Sequence, residues 1–441
     1  MPAPLFYTMH MQTADPKIFK AYDIRGKYPK EINRKLAFQF GYFLPKIIKF
    51  GKKPRKILVA ADTRPSSLIL KSQLIKGLLR NKISVIDADR VSTPMLYLGV
   101  KQTKSDLGIM ITASHLGKEY NGLKVCRSNL QIISGIELRK YAKLFNQPIV
   151  NAPILGKCRK KDLLNDYIDF LLKKANFSLK EKIYCKKIKI GIIPPTTTVK
   201  LALEKIARKI PLKINSASAQ KNKNDFAIGF DSDADRIFFF NNLGQPILGD
   251  TIAALIADWL LKKHKGKKTI ITDKRSSYLI TEIVQKNKGK IFYSRVGHSF
   301  FKKEMTKRQA IFGNEKIGHY YWQVLFYVDD GIFTLLQLLK CLAFNQMPLT
   351  DLTKRYQKYA TLPEQNFQVK NPKEKIKAVR KHFQKQSQRT SLSDGLTMQF
   401  KEWRFNLRLS ETEPLLRLNI EAISKTILKK KFEEVKKIIK Q

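Results

Sequence analysis

Short apolar runs alternate with longer amphipathic stretches along most of this chain. Lys56–Asp62 has the continuous apolar character of a buried strand, and Leu68–Lys82 carries apolar residues at helical spacing. Further strands are predicted at Ile83–Asp89 and Leu107–Thr112. Strands and helices in alternation are typical of α/β units with largely parallel or mixed sheets.

The same alternation recurs twice further along the chain. The predicted elements are the strands Lys187–Ile193, Asp225–Phe230, Thr269–Asp273 and Lys290–Arg295 and the helices Val199–Ile210, Tyr278–Asn287 and Phe300–Arg308. We therefore expect three similar α/β units in a row.

The last part of the chain has a different pattern. Asp351–Lys370 is polar and contains Pro363, which favours a linker. A basic helix, three strand-like runs and a closing helix follow; the runs are Leu396–Phe400, Arg404–Leu409 and Leu415–Glu421, and the helix is Lys425–Lys440. This order predicts an α+β domain at the C-terminus.

A chain of 441 residues is too long for one ordinary hydrophobic core, so several domains are expected. The predicted fold class is α/β, with three tandem related α/β domains that have mixed sheets, plus a C-terminal α+β domain. The expected boundaries are 1–150, 151–249, 250–362 and 363–441.

Basic residues dominate the charge, with 85 Lys and Arg against 36 Asp and Glu, which gives a net charge of +49. The excess is mostly Lys and is spread over the whole chain rather than collected in one tail. Such a surface attracts nucleic acid, anionic lipid or phosphorylated ligands. Compositional drift toward Lys explains the same excess, and the sequence does not separate these two explanations.

The four cysteines are far apart and form no CxxC pair, which excludes a disulfide framework and a cysteine zinc site and fits a reducing compartment. No signal-peptide-like apolar run occurs at the start, and no stretch has the roughly 18 apolar residues of a membrane span. We therefore expect a cytoplasmic protein with no membrane partner.

The segment ITASHLGKEYNGLKV, Ile111–Val125, follows an apolar strand and opens with small and hydroxylic residues. Ligands of open α/β sheets bind outside the carboxyl ends of the strands. Ser114 is therefore placed to act as a nucleophile or phosphoryl carrier, and His115 and Lys124 are nearby groups that could activate it. When this segment is considered alone, a plain Ser/Thr turn before a hairpin explains it better.

Three carboxylates alternate in GFDSDADR, at Asp231, Asp233 and Asp235. Acidic groups brought together at a tight turn are unfavourable unless a cation neutralises them, and oxygen ligands suit Mg²⁺. An EF-hand is excluded because Arg236 and Asn242 occupy the positions of its Gly and final Glu. The alternative is a solvated acidic turn.

The segment LRLSETEPLL joins two predicted strands and carries Arg408, Ser410 and Thr412. A guanidinium group and two hydroxyl groups on one loop suit a phosphate. By itself the segment could also be a polar hairpin turn.

Two further loops contain histidines. In GNEKIGHY, Glu315 and His319 could hydrogen-bond sugar hydroxyl groups, and the segment VGH places His298 at the start of a predicted helix. His115, His298 and His319 make up three of the six histidines, and all three sit in Gly-containing loops after apolar strands. A single histidine of this kind would be taken as structural.

In their order along the chain, these segments resemble the α-D-phosphohexomutase family, and within it the phosphomannomutase/phosphoglucomutase branch. FKAYDIRG, Phe19–Gly26, resembles the opening signature, ITASHLGKEYNGLKV the phosphoserine loop and FDSDADR the metal loop. GNEKIGHYY resembles the sugar-recognition loop and FNLRLSETEPLLRLNIEA the phosphate-binding loop. The match covers nearly the whole chain, and the ordered set is far more specific than any one motif.

The resemblance implies that the four domains surround a central cleft and that the protein is an intramolecular phosphotransferase, an isomerase. Such an enzyme interconverts hexose 1-phosphate and hexose 6-phosphate, of mannose and/or glucose, through a phosphoserine and a hexose 1,6-bisphosphate. One Mg²⁺ per active site would be held by Asp231, Asp233, Asp235 and phosphorylated Ser114. Hexose 1,6-bisphosphate would serve as the activator.

The resemblance also assigns roles to individual side chains. Ser114 is implied as the catalytic nucleophile, with Arg25, Lys124 and His298 in proton transfer and charge stabilisation. The implied substrate-binding residues are Tyr22, His115, Arg236, Arg275, Glu315, His319, Arg408, Ser410 and Thr412.

The sequence departs from the family pattern at four points. Leu116-Gly117 stands where Asn-Pro is usual, which predicts a looser phosphoserine loop. Ser232 replaces Gly, at a cost of about 1 kcal/mol if that position needs a positive φ. Ile317 replaces Ser and removes a hydroxyl contact, and Glu411 replaces Asn and would repel a bound phosphate unless it is paired.

These departures leave the preferred sugar and the phosphate affinity open. The sequence also does not determine the pathway served or the choice between monomer and dimer. One alternative function is phosphoglucosamine mutase. Another is a basic binding protein or pseudoenzyme that has lost catalysis. The expected partners are small sugar phosphates, with no specific nucleic acid.

Overall fold

The computed structural model describes residues 13–48, 54–149, 153–193, 196–216, 224–410 and 415–441, which fall into two compact units. The N-terminal unit consists of the described residues within 1–220, 227–237 and 324–336. The C-terminal unit consists of those within 221–226, 238–323 and 337–441.

The helices begin and end as follows: α1 Arg34–Ile47, α2 Pro65–Leu79, α3 Thr93–Gln102, α4 Gly135–Arg139, α5 Ala142–Phe145, α6 Leu164–Ala175, α7 Leu179–Cys185, α8 Thr197–Lys209, α9 Gly249–Lys263, α10 Tyr278–Lys286, α11 His298–Arg308, α12 Gly331–Asn345, α13 Leu349–Lys354, α14 Pro372–Phe383 and α15 Lys425–Lys440. Short 3₁₀ turns lie at Pro16–Ile18 and Gln323–Leu325.

The strands of the first half are β1 Ile24–Lys27, β2 Lys56–Ala61, β3 Ser84–Arg90, β4 Leu107–Ile111, β5 Tyr120–Arg127, β6 Ile132–Ile133, β7 Lys157–Lys160, β8 Lys189–Ile192, β9 Lys213–Ser216, β10 Phe226–Phe230, β11 Ile237–Asn241 and β12 Pro246–Ile247. Those of the second half are β13 Thr269–Asp273, β14 Lys290–Ser294, β15 Phe312–Asn314, β16 Tyr320–Trp322, β17 Val328–Asp329, β18 Ala360–Thr361, β19 Gln365–Gln368, β20 Arg389–Ser391, β21 Leu396–Gln399, β22 Trp403–Leu409 and β23 Leu415–Ala422.

The N-terminal unit is built on a mixed seven-stranded sheet with the order β1-β5-β4-β2-β3-β7, and β6 pairs with β5. β2 is parallel to β3 and β4, whereas β4 and β5 are antiparallel. Ile57–Ala61 are fully buried because β2 lies at the centre of the sheet, which explains its continuous apolar run. β7 lies at one edge, and all four of its residues are exposed. The same unit contains the strand order β10-β8-β9 of a second sheet.

The C-terminal unit contains the strand order β14-β13-β15-β16. β13 is parallel to β14 and β15, and β15 is antiparallel to β16. The parallel strands end on the same side, so the loops that follow β13 and β15 lie together.

The C-terminal α+β region is a six-stranded sheet in which β18-β23-β22-β21-β20 are neighbours and β19 also pairs with β23. The predicted closing helix begins and ends as expected, because Ser424 caps it by accepting a hydrogen bond from the Ile427 N–H. α14 and α15 bury Val379, Phe383 and Val435 in the core of this region.

The prediction that Asp351–Lys370 is a linker is wrong. Part of α13 lies there, and β18 and β19 both pair antiparallel with β23. β19 reads QNFQ and alternates between half-buried and exposed positions, so it has almost no apolar signal. The other strands and helices predicted from the sequence are present with bounds that differ by a few residues.

Among the described residues, no helix is both long enough and apolar enough to cross a bilayer. The α/β class with mixed sheets and a C-terminal α+β region is confirmed. The four-domain division at the expected boundaries stays a prediction.

Candidate active site

Ser114 lies in the turn after β4, at the carboxyl end of that strand. Its φ is +53°, in the left-handed region that non-glycine residues rarely adopt, and its N–H donates to Thr112 Oγ1 at 2.9 Å. Ser114 Oγ is 3.5 Å from Asp231 Oδ2 and 3.5 Å from Nδ1 of the exposed His115. The strained turn thus directs the hydroxyl group toward the acidic loop.

A buried arginine holds the Ser114 turn from behind. Arg64 Nη2 donates to the carbonyl oxygens of Ser114 and Leu116, the second at 2.9 Å. Asp62 fixes this guanidinium, since Arg64 Nε is 3.1 Å from Asp62 Oδ2 and the Arg64 N–H donates to Asp62 Oδ1 at 3.0 Å. Arg64 therefore restrains the Ser114 loop, in which Leu116-Gly117 stands in place of the usual Asn-Pro.

Sequence reasoning missed Asp62 and Arg64. A signal for them was present, because the two residues directly follow β2, which is the parallel neighbour of β4. Polar residues at the carboxyl ends of adjacent parallel strands meet at one edge of the sheet.

The acidic loop between β10 and β11 brings Asp231, Asp233 and Asp235 together, with one carboxylate oxygen from each within 4.8 Å of the others. Burial and the carboxylates of Asp235 and Asp233 raise the pKa of Asp231 well above its usual value. The left-handed residue of this loop is Ala234, at φ +57°. Ser232 has no positive φ, so the strain considered for that substitution is not present.

Lys124 lies on β5 and bridges two of the acids. Its Nζ is 2.6 Å from Asp233 Oδ2 and 2.6 Å from Asp235 Oδ2. Burial opposes the charge, but the two carboxylates raise the pKa of Lys124 overall, so its ammonium group is maintained. Thr93, the first residue of α3, also donates from Oγ1 to Asp233 Oδ2 at 2.7 Å, a contact the sequence did not predict.

These acids fit a hard divalent cation. Asp233 Oδ1 is buried and has no hydrogen-bond partner among the described residues, which is unusual for a buried carboxylate oxygen. Lys124 and Arg236 supply positive charge beside the three carboxylates. Arg236 Nε is 3.6 Å from Asp231 Oδ2. A cluster of carboxylate oxygens, one of which has no hydrogen-bond partner among the described residues, suits Mg²⁺ as a ligand set.

Arg25 lies on β1, which pairs with the strand that carries Lys124. Its guanidinium forms an ion pair with Asp23, with Nη2 2.7 Å from Oδ2. Burial opposes the charge of Arg25, but Asp23, Asp233 and Asp235 raise its pKa. Tyr22 is half-buried beside this strand. The N-terminal unit therefore brings Arg25, Lys124, Ser114 and the acidic loop into one neighbourhood.

In the C-terminal unit, Glu315 directly follows β15 and is buried. Its Oε1 accepts from the Tyr321 hydroxyl at 2.6 Å, and its Oε2 accepts from the Gly297 N–H at 3.2 Å. Gly297 has φ +116°, which allows the sharp turn into α11 just before His298. The rings of His298 and His319 have centroids 4.5 Å apart, so both histidine loops converge beside Glu315.

Arg275 supports the Glu315 carboxylate. Its Nη2 is 2.6 Å from Asp273 Oδ2 and 3.4 Å from Glu315 Oε2. Burial acts against the charge, but Asp273 and Glu315 raise the pKa of Arg275. Two acids thus share this arginine in the structure.

Arg408 lies near the end of β22, and the N–H of Ser410 donates to the Leu415 carbonyl at 2.9 Å. Arg408 Nη2 is 3.5 Å from Glu364 Oε2. Thr412 and Glu411 lie outside the described residues, so their predicted roles stay predictions. The half-exposed Ile317 has replaced a hydroxyl group with an apolar side chain.

Comparison with known proteins matches three segments to family models. Residues 16–144 match phosphoglucomutase/phosphomannomutase alpha/beta/alpha domain I, residues 248–359 match alpha/beta/alpha domain III, and residues 364–438 match the C-terminal domain. The chain is 33% identical to a phosphomannomutase of Methanocaldococcus jannaschii, over 96% of this chain and 98% of the relative. It is 32% identical to a phosphomannomutase of Vibrio cholerae over the same shares.

A phosphoglucomutase/phosphomannomutase family protein of Burkholderia thailandensis has the same fold, with a TM-score of 0.83, 22% identity and 97% of each chain covered. The matches to the family models and to the phosphomannomutases confirm the resemblance stated from the motifs. The chain belongs to the phosphoglucomutase/phosphomannomutase family and is a phosphohexomutase, an enzyme of the isomerase class.

Proposed function

We propose that this enzyme interconverts the 1-phosphate and 6-phosphate of mannose and/or glucose by carrying a phosphoryl group on Ser114. The observation that supports this most is the Ser114 hydroxyl 3.5 Å from Asp231, within a group of three buried carboxylates bridged by Lys124. A hydroxyl nucleophile beside a cation site is what phosphoryl transfer requires, because the reaction depends on positioning and charge neutralisation.

Asp231, Asp233 and Asp235, with an oxygen of phosphorylated Ser114, would hold one Mg²⁺. When bound, the ion supplies neutralisation of the charge on the transferred group. Lys124 balances the acids and offers an ammonium donor beside them. Arg25 supplies a second fixed cation in the same neighbourhood.

In the proposed reaction, a hydroxyl oxygen of the hexose phosphate attacks the phosphorus on Ser114. The Ser114 Oγ–P bond breaks, the sugar hydroxyl loses its proton, and Ser114 Oγ gains one. The product of this half-reaction is a hexose 1,6-bisphosphate. After it turns around, its other phosphoryl group returns to Ser114. We assign charge stabilisation to Lys124 and Arg25, whose raised pKa values keep them cationic, and proton transfer to His298.

The remaining side chains would bind the sugar phosphate. Glu315 and His319 are assigned to the sugar hydroxyl groups, since Glu315 is fixed by Tyr321 and the Gly297 N–H. Arg408, Ser410 and Thr412 are assigned to the phosphate that is not transferred. Tyr22, His115, Arg236 and Arg275 complete the proposed substrate-binding set.

The test is an activity panel with mannose, glucose and glucosamine 1-phosphates, each with Mg²⁺ and hexose 1,6-bisphosphate as activator. We expect turnover of the mannose or glucose ester, loss of turnover when Mg²⁺ is chelated, and stimulation by the bisphosphate. Preference for the glucosamine ester would replace the proposed substrate with the alternative one. A folded protein that turns over none of the three would overturn the proposal.

A further inference from the structure

Two arginines face each other close to the turn that joins β22 and β23. Arg408 and Arg417 are direct partners in the antiparallel register, so their side chains leave the same face of the sheet. Like charges placed directly opposite on neighbouring strands repel. This pair therefore needs an anion, whether from the protein or from a ligand.

Glu364, the residue just before β19, supplies that anion. Its Oε1 accepts from Arg417 Nη1 at 3.3 Å, and its Oε2 lies 3.5 Å from Arg408 Nη2 and accepts from Asn419 Nδ2 at 2.8 Å. Burial acts in the opposite direction, but Asn419 and the guanidinium groups of Arg408, Arg275 and Arg417 lower the pKa of Glu364. The carboxylate is therefore ionised at neutral pH.

The contacts between Glu364 and the arginines are long, and the cluster is partly exposed to solvent. The side chains of Arg408, Arg417 and Glu364 are 11%, 27% and 25% exposed. Arg408 Nε is buried and has no hydrogen-bond partner among the described residues. Long, partly solvated ion pairs are weak, whereas a phosphate oxygen pair accepts from guanidinium forks in short bidentate bonds. An incoming phosphate can thus make better contacts with this pair than Glu364 does.

We propose that Glu364 is an exchangeable internal anion of the phosphate site, and that Arg417 is a second phosphate-binding arginine beside Arg408. This inference rests on the proposed function. Without substrate, Glu364 neutralises part of the charge of the two guanidinium groups and holds them in position. The phosphate of the sugar displaces the carboxylate, and the carboxylate returns when the phosphate leaves. Because the bisphosphate must leave the site in order to turn around, a built-in competitor favours release.

The experiment measures binding of inorganic phosphate and of glucose 6-phosphate to the full chain by calorimetry. Glu364→Gln removes the competing charge and should tighten binding about threefold to tenfold. Arg417→Gln should weaken binding about tenfold or more. Arg389→Gln removes the same charge from the exposed strand β20 and serves as the matched control, with no change in affinity expected. With turnover, Glu364→Gln should lower KM and also lower kcat, because the bisphosphate then leaves the site more slowly.

If Glu364→Gln binds phosphate as weakly as the wild type or more weakly, Glu364 is not an exchangeable anion. If Arg417→Gln binds phosphate as tightly as Arg389→Gln does, Arg417 is not a phosphate-binding residue. If Glu364→Gln does not fold, Glu364→Asp, which withdraws the carboxylate but keeps its charge, should still tighten binding. The binding data do not depend on turnover. Expected affinity shifts without turnover would reject the proposed function alone, and turnover without the shifts would reject this inference alone.

Discussion

The position of the Ser114 hydroxyl depends on a few side chains that act on the backbone. A left-handed φ of +53° points Ser114 Oγ toward Asp231, and Arg64 binds the carbonyl groups on either side of the turn. Left-handed conformations of non-glycine residues persist only where the surroundings hold them. The hydroxyl group of Ser114, the proposed nucleophile, is thus positioned by residues to which we assign no catalytic role.

Replacing Ser114 with Ala should reduce mutase turnover by about a thousandfold or more, because the phosphoryl group then has no oxygen to carry it. Intact mass spectrometry should detect a phosphoryl adduct on the wild type and none on the variant. Ser128→Ala, at an exposed serine just after β5, is the control and should keep both properties. Wild-type activity in Ser114→Ala would reject the carrier role.

Arg64→Lys should lower kcat about tenfold while KM changes less than about threefold, since a single ammonium cannot bind two carbonyl groups as the guanidinium fork does. Phosphorylation of Ser114 by the hexose bisphosphate, followed by rapid quench and mass analysis, should slow in parallel. Arg90→Lys, at an exposed position, is the control. An equal loss of activity in the two variants would argue against a positioning role for Arg64.

The sequence was sufficient to identify Ser114, Lys124 and the three aspartates as candidate site residues, because they lie in short contiguous motifs. Arg64 and Thr93 were not predicted, since each contacts a residue far away in the sequence, 50 positions from Arg64 and 140 positions from Thr93. Such contacts depend on which strands are neighbours, and a single sequence does not state strand order.

At the scale of elements, strong periodicity gave accurate helix bounds, as for α15, whereas the half-exposed strands β18 and β19 were missed. Both pair with β23, which lies more than 40 residues further along the chain. Their identity as strands comes from that distant partner, because QNFQ has little intrinsic preference for a strand. The error mattered, since it hid Glu364 in an expected linker.

A buried acid just before α12, Asp330, makes the stability of the fold depend on pH. Asp330 Oδ1 accepts from the Phe333 N–H at 2.8 Å, and Oδ2 accepts from the Tyr167 hydroxyl of α6 at 2.8 Å. Burial raises the pKa of Asp330 to about 7 from a usual value of 3.8. Between these values the folded protein retains a proton that the unfolded chain has lost, so stability falls as pH rises from about 4 to about 7.

Asp330→Asn keeps one acceptor oxygen for the Phe333 N–H and places an amide N–H beside the Tyr167 hydroxyl oxygen, but it cannot ionise, so it should lack this part of the pH dependence. Relative to the wild type, the variant should gain about 2–3 kcal/mol of unfolding free energy between pH 5 and pH 8. Thermal unfolding of both proteins across this range measures the change as a rising difference in Tm. Parallel profiles for the two proteins would show that Asp330 does not titrate in this range.

At the scale of the whole molecule, the ordered motifs predicted the fold class and the family, because each motif belongs to a different part of one known architecture. The preferred sugar was not predictable, since the loop proposed to bind the sugar departs from the usual family pattern at Ile317. The net charge of +49 is also a property of the whole molecule, and it acts on any anionic substrate.

We expect KM for hexose phosphates to rise several-fold between about 0.02 and 0.2 M salt, while kcat stays nearly constant, because screening weakens long-range attraction but not contacts within the site. Initial rates with NaCl at fixed Mg²⁺ test this, and an uncharged osmolyte is the control for viscosity. A KM that is insensitive to salt would show that the charge has no part in substrate capture.

The exposed edge strand β7 suggests a use for some of this charge that needs no ligand. Its residues Lys157, Cys158, Arg159 and Lys160 all face solvent, and among the described strands only β3 pairs with it. An open sheet edge invites strand addition from another copy, and Lys or Arg side chains along it oppose that addition by repulsion and hydration. We therefore expect the basic side chains of β7 to oppose strand addition in dilute salt, and polyanions that cancel their charge to weaken this opposition.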